Sequence, residues 1–262
     1  MSTTAYKVLT HDYRPPLQGG EPLFTGSYPY TLPVVAVDES DEECSAGWNA
    51  CADAATALRI AGLWPDGRPS RVIEVVTDAA VFARGDKLRA STWTLVRELD
   101  EATEVRDAVR RLSEPFGDLA DEMVAEQMAW RRALGRPRRD EAAVVRGLEV
   151  ALGARGLNWK LSKHDTASAA MDAGDARTAW NARAAWNASD AWAAWNAWAA
   201  RSAWDAGNAL TASYTARRGW VEYSPDLLTV GLRDAYEHGL AVAVPTENDT
   251  LGWAMLPAKE GT

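Results

Sequence analysis

An α+β fold is predicted by three observations. Short β-rich runs separated by Pro/Gly-rich turns fill the first hundred residues. From Glu101 to about Arg155 the apolar period becomes helical. A helix followed by two β-rich runs then closes the chain. The organisation that follows is a small N-terminal α/β domain (1–99), a helical region (100–160), an Ala/Trp triplet repeat (161–216) and a C-terminal helix and hairpin (217–262).

In the N-terminal domain the strand candidates are Tyr6-Lys-Val-Leu-Thr10, Val34-Val-Ala-Val37, Arg71-Val-Ile-Glu-Val-Val-Thr77 and Thr92-Trp-Thr-Leu-Val96. Between the second and third, Ala52 to Ala61 has the composition and apolar spacing of one amphipathic helix, stopped by Gly62. A strand-helix-strand core is the expected result. Turns are marked by Pro15-Pro-Leu-Gln-Gly-Gly20 and Pro65-Asp-Gly67.

Three helices are expected next. Their apolar positions are Val105, Val109 and Leu112, then Leu119, Met123, Met128 and Leu134, then Val144, Val145, Leu148 and Leu152. Ser113-Glu-Pro-Phe-Gly117 breaks the first from the second, and Asp140, ending the basic stretch Gly135-Arg-Pro-Arg-Arg-Asp140, is placed to cap the third. That basic stretch reads as a solvated loop rather than an anion site.

From Ala167 to Ala212 every third residue is alanine, and the slot after it holds tryptophan at Trp180, Trp186, Trp192, Trp195, Trp198 and Trp204. Alanine is the best helix former, and no valine or isoleucine occurs from Asp165 to Gly219, so composition favours a helix. A strict three-residue period precesses by about 60° per triplet on a 3.6-residue helix, which spreads the rings around it. A tight β-solenoid is the alternative, since short repeated units stack in such folds; disorder is the third. In any of these, six large rings left in water would exceed the apolar patch that monomers tolerate. They require a cover, either neighbouring helices, a second copy of the chain, or a partner, tryptophan being enriched at interaction hot spots.

Beyond Arg217 the chain regains ordinary complexity. Ser224 as cap and Pro225 at the first position open a helix through Asp226 to His238, with Gly239 as its stop. Leu240-Ala-Val-Ala-Val-Pro245 and Thr250-Leu-Gly-Trp-Ala-Met255 read as strands joined by the turn Thr246-Glu-Asn-Asp249.

The chain has 262 residues, 47% hydrophobic and 25% charged, enough for real cores without staples. A net charge of -9 and a pI near 5.0 argue against a nucleic-acid partner, and the charge is too dilute for a nucleic-acid mimic. Cys44 and Cys51 lack zinc-ligand or Cys-x-x-Cys spacing and read as reduced structural thiols. No window approaches the ~18 apolar residues of a membrane span, and no leader-like run opens the chain, so a cytoplasmic protein with no membrane partner is expected.

Little catalytic chemistry is legible. His11, His164 and His238 have no metal-ligand spacing, so no metal is expected, nor any cofactor. His11-Asp12 and His164-Asp165 are sequence neighbours whose side chains diverge. His238 reads as complementing a helix C-terminus. No nucleophile elbow, phosphate loop or dinucleotide fingerprint occurs.

Tyr6-Lys7, Gly47-Trp-Asn-Ala-Cys51, Arg71-Val-Ile-Glu-Val75, Asp86-Lys87 and the Trp93 to Leu99 run resemble an uncharacterised domain of phage and bacterial proteins, often followed by low-complexity repeats. The resemblance covers about a third of the chain and implies a boundary near residue 100, but no activity. Where that family has a histidine before Ala-Cys, this chain has Trp48-Asn49. The order strand, Gly-aromatic turn, Ala-rich helix, Val-rich strand is also similar to that of ADP-ribosyltransferases. By that resemblance Glu98 would stand for the catalytic glutamate and Ser91-Thr92-Trp93 for the serine-threonine-serine strand.

Two functions are therefore expected. The first is a non-catalytic protein that binds a protein partner or itself through Trp180, Trp186, Trp192, Trp195, Trp198 and Trp204. The alternative is an enzyme with a pocket in the N-terminal domain, where Tyr6, Lys7, Arg14, Arg89 and Glu98 are the polar candidates.

Overall fold

The computed structural model describes residues 2–16, 20–40, 46–61, 68–135, 137–154, 156–173, 225–246 and 249–256. It has the α+β class expected, in two compact units, residues 1–124 and 125–262.

The first unit is built on a seven-stranded sheet. Its strands are β1 (Thr3–Leu9), β2 (Tyr30–Thr31), β3 (Trp48–Cys51), β4 (Arg71–Thr77), β5 (Val81–Arg84), β6 (Lys87–Ala90) and β7 (Thr94–Glu98), in the order β2-β7-β4-β1-β3-β6-β5. Every neighbouring pair is antiparallel. A strand-helix-strand unit is present as β3, α1 (Ala54–Ala61) and β4, its first strand being Trp48–Cys51 and not the expected Val34–Val37. These two strands are parallel to each other, but β1 lies between them and runs against both.

Register sorts the side chains onto two faces. Ala5 opposite Val75 and Leu9 opposite Arg71 place Ala5, Leu9, Ile73, Val75, Ala50, Ala90 and Leu95 on one face, under Phe24, Leu32 and Trp93. On the other face Val8 lies opposite Val72, and α1, with buried Leu58, packs there. Asp53 caps α1, its carboxylate accepting from Thr56 N–H at 2.9 Å and Thr56 Oγ1 at 2.8 Å.

Sequence expectations differ from this unit at four places, the first being the two-residue strand β2, which was not expected. Val34 to Val37 belongs to no strand, because only Val35 N–H in that run donates to a neighbouring backbone, to Ser91 O at 3.0 Å. Trp48–Cys51 is a strand although its sequence lacks apolar alternation. Val81–Arg84 and Lys87–Ala90 form a hairpin across Gly85, whose φ of 55° suits its glycine. Gly62 and the Pro65-Asp-Gly67 turn lie outside the described residues.

After β7 a single π-helical turn, Glu101–Val105, leads into α2 (Arg106–Ser113), a 3-10 segment (Glu114–Leu119) and α3 (Ala120–Gly135). Asp100 caps the first turn, accepting from Thr103 N–H at 2.9 Å. The break lies at the predicted Pro/Gly stretch, where Gly117 has φ 63° and ψ -125°.

The second unit contains α4 (Glu141–Ala154), β8 (Lys160–His164), α5 (Ala167–Ala173), α6 (Pro225–Glu237), β9 (Leu240–Thr246) and β10 (Thr250–Met255). Asp140 caps α4 as predicted, accepting from Ala143 N–H at 3.0 Å. The β9-β10 hairpin is antiparallel, and β8, which the sequence reading missed, adds to β10 in parallel. Ala170 of α5 is buried against Val242, Val244 and Ala254 of this sheet. The helix α5 is the described beginning of the triplet repeat; the rest of the repeat, with all six of its tryptophans, and the cap Ser224 lie outside the described residues. α6 packs along α4, and Trp130 of α3 lies 5.8 Å from the Tyr236 ring.

Candidate functional site

The five polar candidates of the N-terminal domain lie in the first unit. Tyr6 and Arg89 belong to the face covered by α1: Tyr6 is opposite Cys51 and Glu74, and Arg89 is opposite Asn49. Lys7 and Glu98 belong to the other face, both opposite Ile73. Arg14 stands in the loop after β1. The sheet therefore separates the candidates instead of gathering them.

Each of the charged ones has a local partner. Lys7 Nζ donates to Asn49 O at 2.8 Å and lies 5.7 Å from the centre of the Trp48 ring. Trp48 is itself held by its indole N–H on Pro33 O at 2.8 Å. Burial pushes the Lys7 ammonium down to about 8, the nearby Cys51 opposing only in part. Burial also pushes the Cys51 thiol up to about 11, which makes it a poor nucleophile.

Arg89 is fully buried and donates to Asp38 O at 2.7 Å. Gly47, at φ +121°, lies over it so closely that a Cβ there would stand 2.8 Å from Arg89 Cγ. The glycine and the arginine are thus one packing unit. Arg14 closes its own loop, donating to Asp12 at 2.7 Å and to Gly20 O at 2.9 Å. Burial works against ionisation of Asp12, but hydrogen bonds from Thr10 and Arg14 hold its carboxyl below the usual range.

Glu98 is bound bidentately by Arg71 at 3.0 and 2.8 Å. Arg71 in turn donates to His11 O at 2.7 Å and stacks its guanidinium 4.7 Å from the Tyr13 ring centre. Tyr13 meets Phe24 edge-on at 4.5 Å, and Phe24 meets Tyr28 at 5.1 Å. The Tyr28 hydroxyl is buried with no hydrogen-bond partner among the described residues, and burial, aided by the Glu98 charge, pushes its phenol up. Arg71 was missed as a functional candidate. The only signal for it was its position heading the valine-rich strand.

His238 stands where its sequence position suggested. His238 follows α6, its Nδ1 2.8 Å from Asp234 O and 3.3 Å from the Asp234 carboxylate. Among the described residues no group of His, Cys, Asp or Glu is placed to hold a metal, and no helix is long and apolar enough to cross a membrane. Cys44 lies outside the described residues.

No family model matches the chain, and neither the curated proteins nor the solved structures give a match.

Proposed function

We propose that the protein is a non-catalytic binding protein, in which the N-terminal sheet is a scaffold and the tryptophan repeat makes the contact with a protein partner or a second copy. The observation that carries this reading is the dispersal of the polar candidates. Catalysis needs groups converging within hydrogen-bond reach of one reacting atom. Here Tyr6 and Arg89 lie across the sheet from Lys7 and Glu98, and Glu98 is neutralised by Arg71. The charged groups support the fold, which leaves Trp180, Trp186, Trp192, Trp195, Trp198 and Trp204 as the unusual surface-forming feature.

Replacing Trp192, Trp195 and Trp198 together by alanine, with mass measured by light scattering and folding by circular dichroism, tests it. Association is expected to disappear while the fold survives. If instead the rings are core, each costs ~3–5 kcal/mol and the protein unfolds. Unchanged melting with unchanged association overturns both.

The enzyme reading has one observation in its favour, the depressed Lys7 ammonium at about 8 on the same face as Glu98. Hydrolysis of NAD or self-modification by the purified protein, abolished by Glu98→Gln, would replace the binding reading with an ADP-ribosyltransferase-like one.

A further inference from the structure

We draw no further inference here: the strongest candidate, the half-buried Lys7 amine set between Asn49 O and the Trp48 ring on one face of the seven-stranded sheet, rests on the depressed pKa of a single group, and nothing in the structure shows what would reach it.

Discussion

Gly147 of α4 and Gly231 of α6 meet backbone to backbone: a Cβ built on either would stand 2.6 Å from the other's carbonyl oxygen. The two helices pack this closely only because neither residue has a side chain. Gly147→Ala is therefore expected to destabilise the protein by about 1–3 kcal/mol, the overpacking cost exceeding the gain in helix propensity. Gly153→Ala, on the same helix with nothing within 4 Å of its Cβ, is the control and is expected to be neutral or stabilising. Chemical denaturation of both variants checks this.

Lys7 is expected to make stability rise with pH. Its folded value of about 8 lies below the ordinary 10.5, so between these values the unfolded chain holds a proton that the folded protein does not. Stability must then increase through that window and be penalised below it. Lys7→Met is expected to raise stability at neutral pH by on the order of 1–3 kcal/mol and to flatten the window. Cys51 is pushed the other way by burial, is lowered in part by the Lys7 charge and titrates in the same window, so the comparison is made in a Cys51→Ala background. Melting from pH 7 to 10.5 for the pair of proteins measures it.

Glu104 is also expected to make stability rise with pH, but in the acid range and as a stabilising contribution instead of a penalty. Arg97 binds its carboxylate, and the Asp100 N–H adds a bond at 3.0 Å, holding it at about 2 against an ordinary 4.5. Its contribution is complete above pH 4.5 and is lost as pH falls toward 2. Both partners are well exposed, so solvent screening limits the effect to about 1 kcal/mol or less. Glu104→Gln is expected to shorten the acid limb of the stability curve by that amount, read by urea titration at pH 2.5 and 6.

Asp53 is expected to behave as a helix cap. Asp53→Ala leaves the Thr56 N–H at the start of α1 without its acceptor and is expected to cost about 1 kcal/mol, while Asp53→Asn, which keeps an acceptor, costs less. Thermal melts of the two variants separate the cap from the charge.

Legibility in the sequence followed the length and regularity of each element. α2, α3, α4 and α6 were readable because their periodicity runs over several turns and their ends carry Asp140, Pro225 and Gly239. β3, β5, β6 and β8 were not, being only four or five residues long and without a sustained apolar alternation. Val34 to Val37 misled in the other direction: its composition is that of a strand, but strand identity requires a ladder, and its neighbours supply a single bond. At the candidate site the sequence identified Lys7, Arg89 and Glu98 as residue types, without their partners. Asn49, Asp38 and Arg71 reach them from 42, 51 and 27 residues away.

By itself the sequence determined the α+β class, the helical middle, the capping of α4 and the closing helix and hairpin. All of these rest on local propensity and spacing. Only the tertiary structure decided that β1 intervenes between β3 and β4, that Lys7 and Arg89 lie on opposite faces of one sheet, and that Glu98 is neutralised by Arg71. Strand order and register are long-range pairings, set by which buried surfaces fit together, and no window of neighbouring residues contains that information.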